Sequence, residues 1–109
     1  MNAKDLRDLV HFSEEGPHRQ TLWEGVHLWS EVICLERGQQ HGPVGDPASD
    51  GLCLVAAGRV VVQVGRSRRR LGQWETAPVP AGQELTLTNA SEDPAVILLV
   101  AAPPPTAAS

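Results

Sequence analysis

Aromatic side chains are scarce in this chain: three Trp, one Phe and no Tyr among 109 residues. Proteins that hold single-stranded nucleic acid stack bases on exposed rings, and few rings are to spare here. Positive charge is scarce too. Nine Lys and Arg stand against 13 Asp and Glu, a net charge of −4 with His neutral, whereas affinity for nucleic acid draws on a basic surface. Nucleic acid is therefore not an expected partner. No apolar run approaches the roughly 20 residues that a membrane-spanning helix needs, and the N-terminus lacks the apolar stretch of a secretory signal. No membrane partner is expected, and the expected location is cytoplasmic. Cysteine is nearly absent as well. Cys34 and Cys53 stand alone in apolar surroundings, with no C-x-x-C to form a zinc knuckle. They read as buried, reduced thiols.

What is present suits one small soluble domain. Hydrophobic residues make up 41% and charged residues 20% of the chain, ordinary values for a globular protein. A chain of this size buries roughly two-thirds of its unfolded surface, enough for a core without cross-links. Leu6, Leu9 and Val10 have helical spacing over a short segment, which predicts a turn or two of helix before the break at Gly16-Pro17. The remainder reads as strands. Apolar or alternating segments at 20–23, 26–35, 52–57, 59–64, 76–79, 84–88 and 95–101 are separated by Gly, Pro, Asn and Asp. Strands spaced every 8–12 residues, with no helices between them, predict an all-β antiparallel sandwich or closed barrel. The Gly- and Pro-rich stretch 39–51 reads as an irregular loop, and the arginine-rich stretch 66–70 as a polar hairpin tip. The expected divisions are an N-terminal arm over 1–19, the β domain over 20–102, and a loose Pro/Ala-rich tail over 103–109.

Two blocks narrow the fold further. Gly72, Pro80, Gly82 and Asn89 resemble the frame of the second cupin motif, in which P-x-G turns into a strand that ends at Asn. Gly38 and Gly58 bracket a stretch, Val44-Gly45-Asp46-Pro47-Ala48-Ser49-Asp50-Gly51, that resembles the metal-binding loop of small single-domain cupins. The resemblance covers about residues 20–101. It implies a cupin-type antiparallel jelly-roll β-barrel with a short N-terminal helical arm, and a mouth where three His and one Glu would hold a divalent metal. Aligned on Pro47, Ser49 and Asp50, those four positions hold Val44, Asp46, Gly51 and Leu85. A transition-metal site needs several imidazole or carboxylate groups converging, and Val44 and Leu85 coordinate nothing. No metal ligand and no cofactor are therefore expected.

The same substitutions leave a mouth that is more apolar than a metal site. A concave apolar surface with few polar groups suits a small organic molecule. The candidate pocket residues are His41, Val44, Asp46, Leu85, Trp29 and Trp74, the tryptophans because Trp favours pocket walls and interfaces. No catalytic residue is assigned. The expected function is non-catalytic binding of a small organic ligand, or an interaction module, in a homodimer. The alternative is an isomerase- or oxygenase-like cupin enzyme working through a rearranged site around His41 and Asp46. Arg66, Arg68, Arg69 and Arg70 form the one basic cluster, expected as a solvated tip that keeps a sheet edge soluble.

Overall fold

The computed structural model describes residues 1–106. Nine strands follow one turn of 3₁₀ helix at Leu6–Leu9: β1 His18–Glu24, β2 Trp29–Leu35, β3 Gln40–Val44, β4 Asp50–Ala57, β5 Val60–Val64, β6 Ser67–Leu71, β7 Thr76–Val79, β8 Leu85–Thr88 and β9 Ala95–Ala102. They form two sheets, one in the order β1-β2-β9-β4-β7 and one in the order β3-β8-β5-β6. Every pairing is antiparallel. The all-β architecture expected from strand spacing is thus the one observed.

Alternation along the strands creates two apolar layers. Ile33, Leu35, Cys53, Val55, Val62, Leu85, Leu87 and Ile97 meet between the sheets. On the outer face of the five-stranded sheet, Val32, Cys34 and Val96 are covered by Leu9, with Leu6, Val10 and Phe12 of the N-terminal arm packed beside them. That is why β2 is buried along its whole length. The arm is held further by the Gln39 side-chain amide, which donates to the Ser13 carbonyl at 2.6 Å. Cys34 belongs to the outer layer and Cys53 to the inner one. The sheet itself separates the two thiols, and both are free.

Two segments differ from the sequence expectation. The stretch 39–51 is not one irregular loop, because it contains β3. That strand pairs with β8 through Gln40↔Thr88, His41↔Leu87 and Val44↔Leu85, with the register interrupted between His41 and Val44. Gly42 sits in the interruption at a φ of +104°, and a Cβ there would clash with the Leu85 carbonyl oxygen. The pairing is specified by β8, so the hydrophobicity of 39–51 carries no trace of it. In the stretch 66–70, all but Arg66 likewise belongs to a strand and not to a hairpin tip. The tip is only Gly65-Arg66, and β6 pairs residue for residue with β5 from Val64↔Ser67 to Val60↔Leu71. Its arginines tolerate strand geometry because β6 is the sheet edge, open to water.

Asn89 closes β8. It is fully buried, and its amide donates to the carbonyls of Leu35 at 3.0 Å and Asp93 at 2.8 Å. Its oxygen accepts from the Ser91 N–H at 3.0 Å and the Ser91 hydroxyl at 2.8 Å. The side chain thereby ties the 89–94 turn to the end of β2, which places the mouth strands relative to one another.

Candidate functional site: a metal-ligand-poor barrel mouth

One end of the space between the sheets opens as a cavity of about 100 Å³. Trp29, Val79, Leu85 and Leu99 supply its apolar walls, and Arg19, Glu31 and His41 its polar end. The register explains how these meet. Trp29, Glu31, Ile33 and Leu35 are alternate residues of β2, and three of the four belong to the inner core, so Glu31 faces inward with them. Arg19 on β1 pairs with Ile33 and reaches along the same face to Glu31. Its Nε and Nη2 donate to Glu31 Oε1 at 3.2 and 3.1 Å, and Nη2 lies 3.1 Å from Oε2. His41 enters from the opposite sheet, where it pairs with the inward-facing Leu87.

His41 is 8% exposed. Its Nε2 lies 3.9 Å from Glu31 Oε1 and has no hydrogen-bond partner. Burial, and then the Arg19 charge, lower its pKa from 6.5 to about 4, so the ring is neutral near pH 7. Burial pushes Glu31 above the ordinary carboxylate range, and Arg19 opposes that rise. An unpaired polar atom this deep costs on the order of 1–3 kcal/mol unless something meets it.

The six candidate pocket residues do not all reach the cavity. His41, Val44, Asp46, Leu85 and Trp29 line it. Trp74 is 71% exposed and lies apart, in the turn before β7, where its N–H donates to the Val55 carbonyl at 2.7 Å. Its φ is +72°, and it takes no part in the cavity wall.

Asp46 lines the cavity but is fully engaged by the protein. Its Oδ1 accepts from the Ala48 N–H at 2.8 Å. Its Oδ2 accepts from the Thr106 N–H at 2.9 Å and the Thr106 hydroxyl at 3.1 Å. The Ser49 hydroxyl sits 3.2 Å from Oδ1 and 2.6 Å from the Pro103 carbonyl. These donors, the Ala48 N–H foremost, hold the carboxyl below its usual range. Residues 103–106, expected as part of a loose tail, are therefore tied across the mouth, and Pro105 joins the cavity wall. The rest of that tail, 107–109, lies outside the described residues.

Val44, Asp46, Gly51 and Leu85, the four positions where the resemblance implies metal ligands, all border this cavity. Only one carries a donor atom, and its carboxylate is saturated. Among the described residues no three His, Cys, Asp or Glu side chains converge as a metal-binding group. The residues present do not fit a divalent metal at this mouth.

Arg19 and Glu31 were absent from the sequence-level candidates. The available signal was an acid at the inward phase of an otherwise apolar strand. The rearranged site anticipated around His41 and Asp46 is also altered, because the carboxylate facing His41 is that of Glu31.

Two antiparallel sheets enclosing a mouth at one end define a small jelly-roll barrel, and solved structures share it. TT1209 from Thermus thermophilus is 30% identical, with 96% of this chain and 100% of that one covered and a TM-score of 0.92. An uncharacterized conserved protein with a double-stranded β-helix domain from Klebsiella pneumoniae is 20% identical, covering 94% and 90%, with a TM-score of 0.88. An RmlC-like cupin from Shewanella frigidimarina is 17% identical, covering 82% and 78%, with a TM-score of 0.74. No family model matches the chain, and no curated protein does. The chain has the cupin-type jelly-roll fold.

Proposed function

We propose that this cupin binds a small, uncharged organic ligand in the barrel mouth without a metal and without catalysing a reaction. The observation that carries the reading is His41 Nε2, buried and unpartnered at the polar end of an apolar cavity. A ligand hydroxyl or amide placed there would satisfy it while the ligand's carbon skeleton covers Trp29, Leu85 and Leu99. Arg19 and Glu31 neutralise each other and Asp46 adds negative charge, so the site offers an anion no net attraction. The cavity volume favours a ligand of a few heavy atoms.

The test combines two measurements on untagged protein. Elemental analysis is expected to show no stoichiometric iron, zinc, nickel or manganese. Small alcohols, amides and carboxylic acids are then screened by NMR for shifts of the His41 ring resonances, and the uncharged compounds are expected to produce them. A stoichiometric metal, or His41 resonances that no compound moves, would sink the proposal.

A second reading is favoured by the His41–Glu31 pair. Burial lowers one pKa and raises the other, which is how an acid–base couple is prepared. Under that reading the chain is an isomerase-like enzyme working through His41 and Glu31, and ligand turnover in the NMR tube would identify it. The homodimer expected from the sequence is proposed with either reading. Its support is the outer face of the five-stranded sheet, where Leu52 pairs with Val100 and Leu54 with Leu98, and Leu52 and Trp23 are 47% and 55% exposed. Among the described residues no helix is long and apolar enough to cross a membrane.

A further inference from the structure

A second concavity lies away from the mouth, at the seam where the two sheets present free edges. β6 ends the four-stranded sheet and β7 ends the five-stranded one. Between them runs a groove of about 470 Å³, lined by Val62, Val64 and Leu71 at its floor and by Arg68, Arg69 and Pro78 at its rim. Among the described residues each edge strand pairs on one side only, so backbone donors and acceptors of its alternate residues have no strand partner. The edges are not equivalent. Pro78 lacks an N–H and interrupts any new ladder on β7, whereas β6 has no proline.

Charge is concentrated at the same place. Arg66, Arg68, Arg69 and Arg70 account for four of the nine basic side chains; elsewhere, five Lys and Arg face 13 Asp and Glu. Among the described residues none of these four arginines makes an ion pair. Arg68 pairs with Gln63 and Arg70 with Val61, so these two share one face of β6, two residues apart. Carboxylates at alternate positions of an added strand would match that spacing.

We propose that the β6–β7 groove receives an extended acidic segment of a partner protein, which adds to β6 as a fifth strand of its sheet. Backbone pairing to β6 supplies the affinity, and Arg68, Arg69 and Arg70 select acidic side chains. Five residues of β6 span about 17 Å, so a segment of about five or six residues fills the site. A second copy of this chain is the wrong occupant, because pairing β6 with itself would set arginine against arginine.

The test uses the full chain and a labelled, end-blocked peptide of three Glu-Thr repeats. Fluorescence anisotropy reports affinity, and backbone amide exchange reports its location. The peptide is expected to bind, with an affinity that falls as salt rises from roughly 50 to 200 mM, and to protect those amides of 67–71 that do not already pair with β5. The double variant Arg68→Glu/Arg69→Glu, whose sites are solvent-exposed, should keep its melting temperature and lose roughly tenfold or more in affinity. A Lys-Thr peptide should not bind. Four results would each overturn the proposal. These are no binding up to about 1 mM, unchanged affinity in the folded double variant, and tighter binding of oligothymidine than of the peptide. The fourth is protection of 67–71 that grows with protein concentration when no peptide is present.

Discussion

Removal of the Arg19 guanidinium tests the polar end of the mouth most directly. Glu31 has only 5% of its side chain exposed, and among the described residues Arg19 is its one cationic partner, His41 beside it being neutral. Arg19→Met keeps an unbranched apolar stem but strands a carboxylate in the barrel. Breaking a buried pair in this way costs about 3–5 kcal/mol. Arg19 keeps 35% of its side chain exposed, which places the expected loss near the lower end, about 3 kcal/mol at about pH 8. The loss must depend on pH, and the direction follows from linkage. The folded pKa of Glu31 is already raised. Stability from such a group is complete below the unfolded pKa and is lost as pH rises through the folded value. Without Arg19 the folded value climbs further, so the deficit should be largest in mild alkali and shrink towards about pH 5. Urea unfolding at both pH values gives the two free energies. The double variant Arg19→Met/Glu31→Gln should recover most of the loss at about pH 8, since it leaves no charge behind. If the deficit is the same at both pH values and Glu31→Gln recovers nothing, the loss comes from packing of the Arg19 stem. The reading of the mouth as a charge-balanced polar end would then be wrong.

Two further expectations concern neighbouring groups. Asn89→Ala removes the four hydrogen bonds that join β8 to β2 and the following turn, at a fully buried position; urea unfolding should show a loss of about 3 kcal/mol. His41 has a folded pKa lowered to about 4, so its contribution is complete above the unfolded value of 6.5 and is lost as pH falls through about 4. The urea midpoint should fall over that window, and the fall should be shallower in His41→Leu; an identical slope in both proteins would contradict the assigned burial.

The architecture was largely legible because its signals are local. Gly and Pro between short apolar runs announced seven of the strand segments, and the alternation over 84–88 set Leu85 and Leu87 on one face. Where a signal was not local, the sequence misled. β3 borrows its pairing from β8 across an interruption at Gly42, and its own residues look like loop. β6 looked like a hairpin tip because four arginines suit solvent, and an edge strand is also solvent-exposed. Trp74 looked like a pocket wall because Trp often is, but it stands exposed in the turn before β7.

The sequence by itself determined that Val44, Asp46, Gly51 and Leu85 stand where the resemblance implies metal ligands, and side-chain identity alone decides whether donor atoms exist there. Only the tertiary structure decided what stands in their place. Arg19, Glu31 and His41 come from three strands on two sheets, and the sequence separation among them gives no hint that they converge. Their meeting depends on the Arg19↔Ile33 register, on the inward phase of Glu31 and on β3 closing the opposite wall. Asp46 likewise reads as a free carboxylate until residues 103–106 cross the mouth and occupy it. Burial of these groups, and hence their charge states, is a property of the closed barrel, because desolvation exists only after the sheets have met.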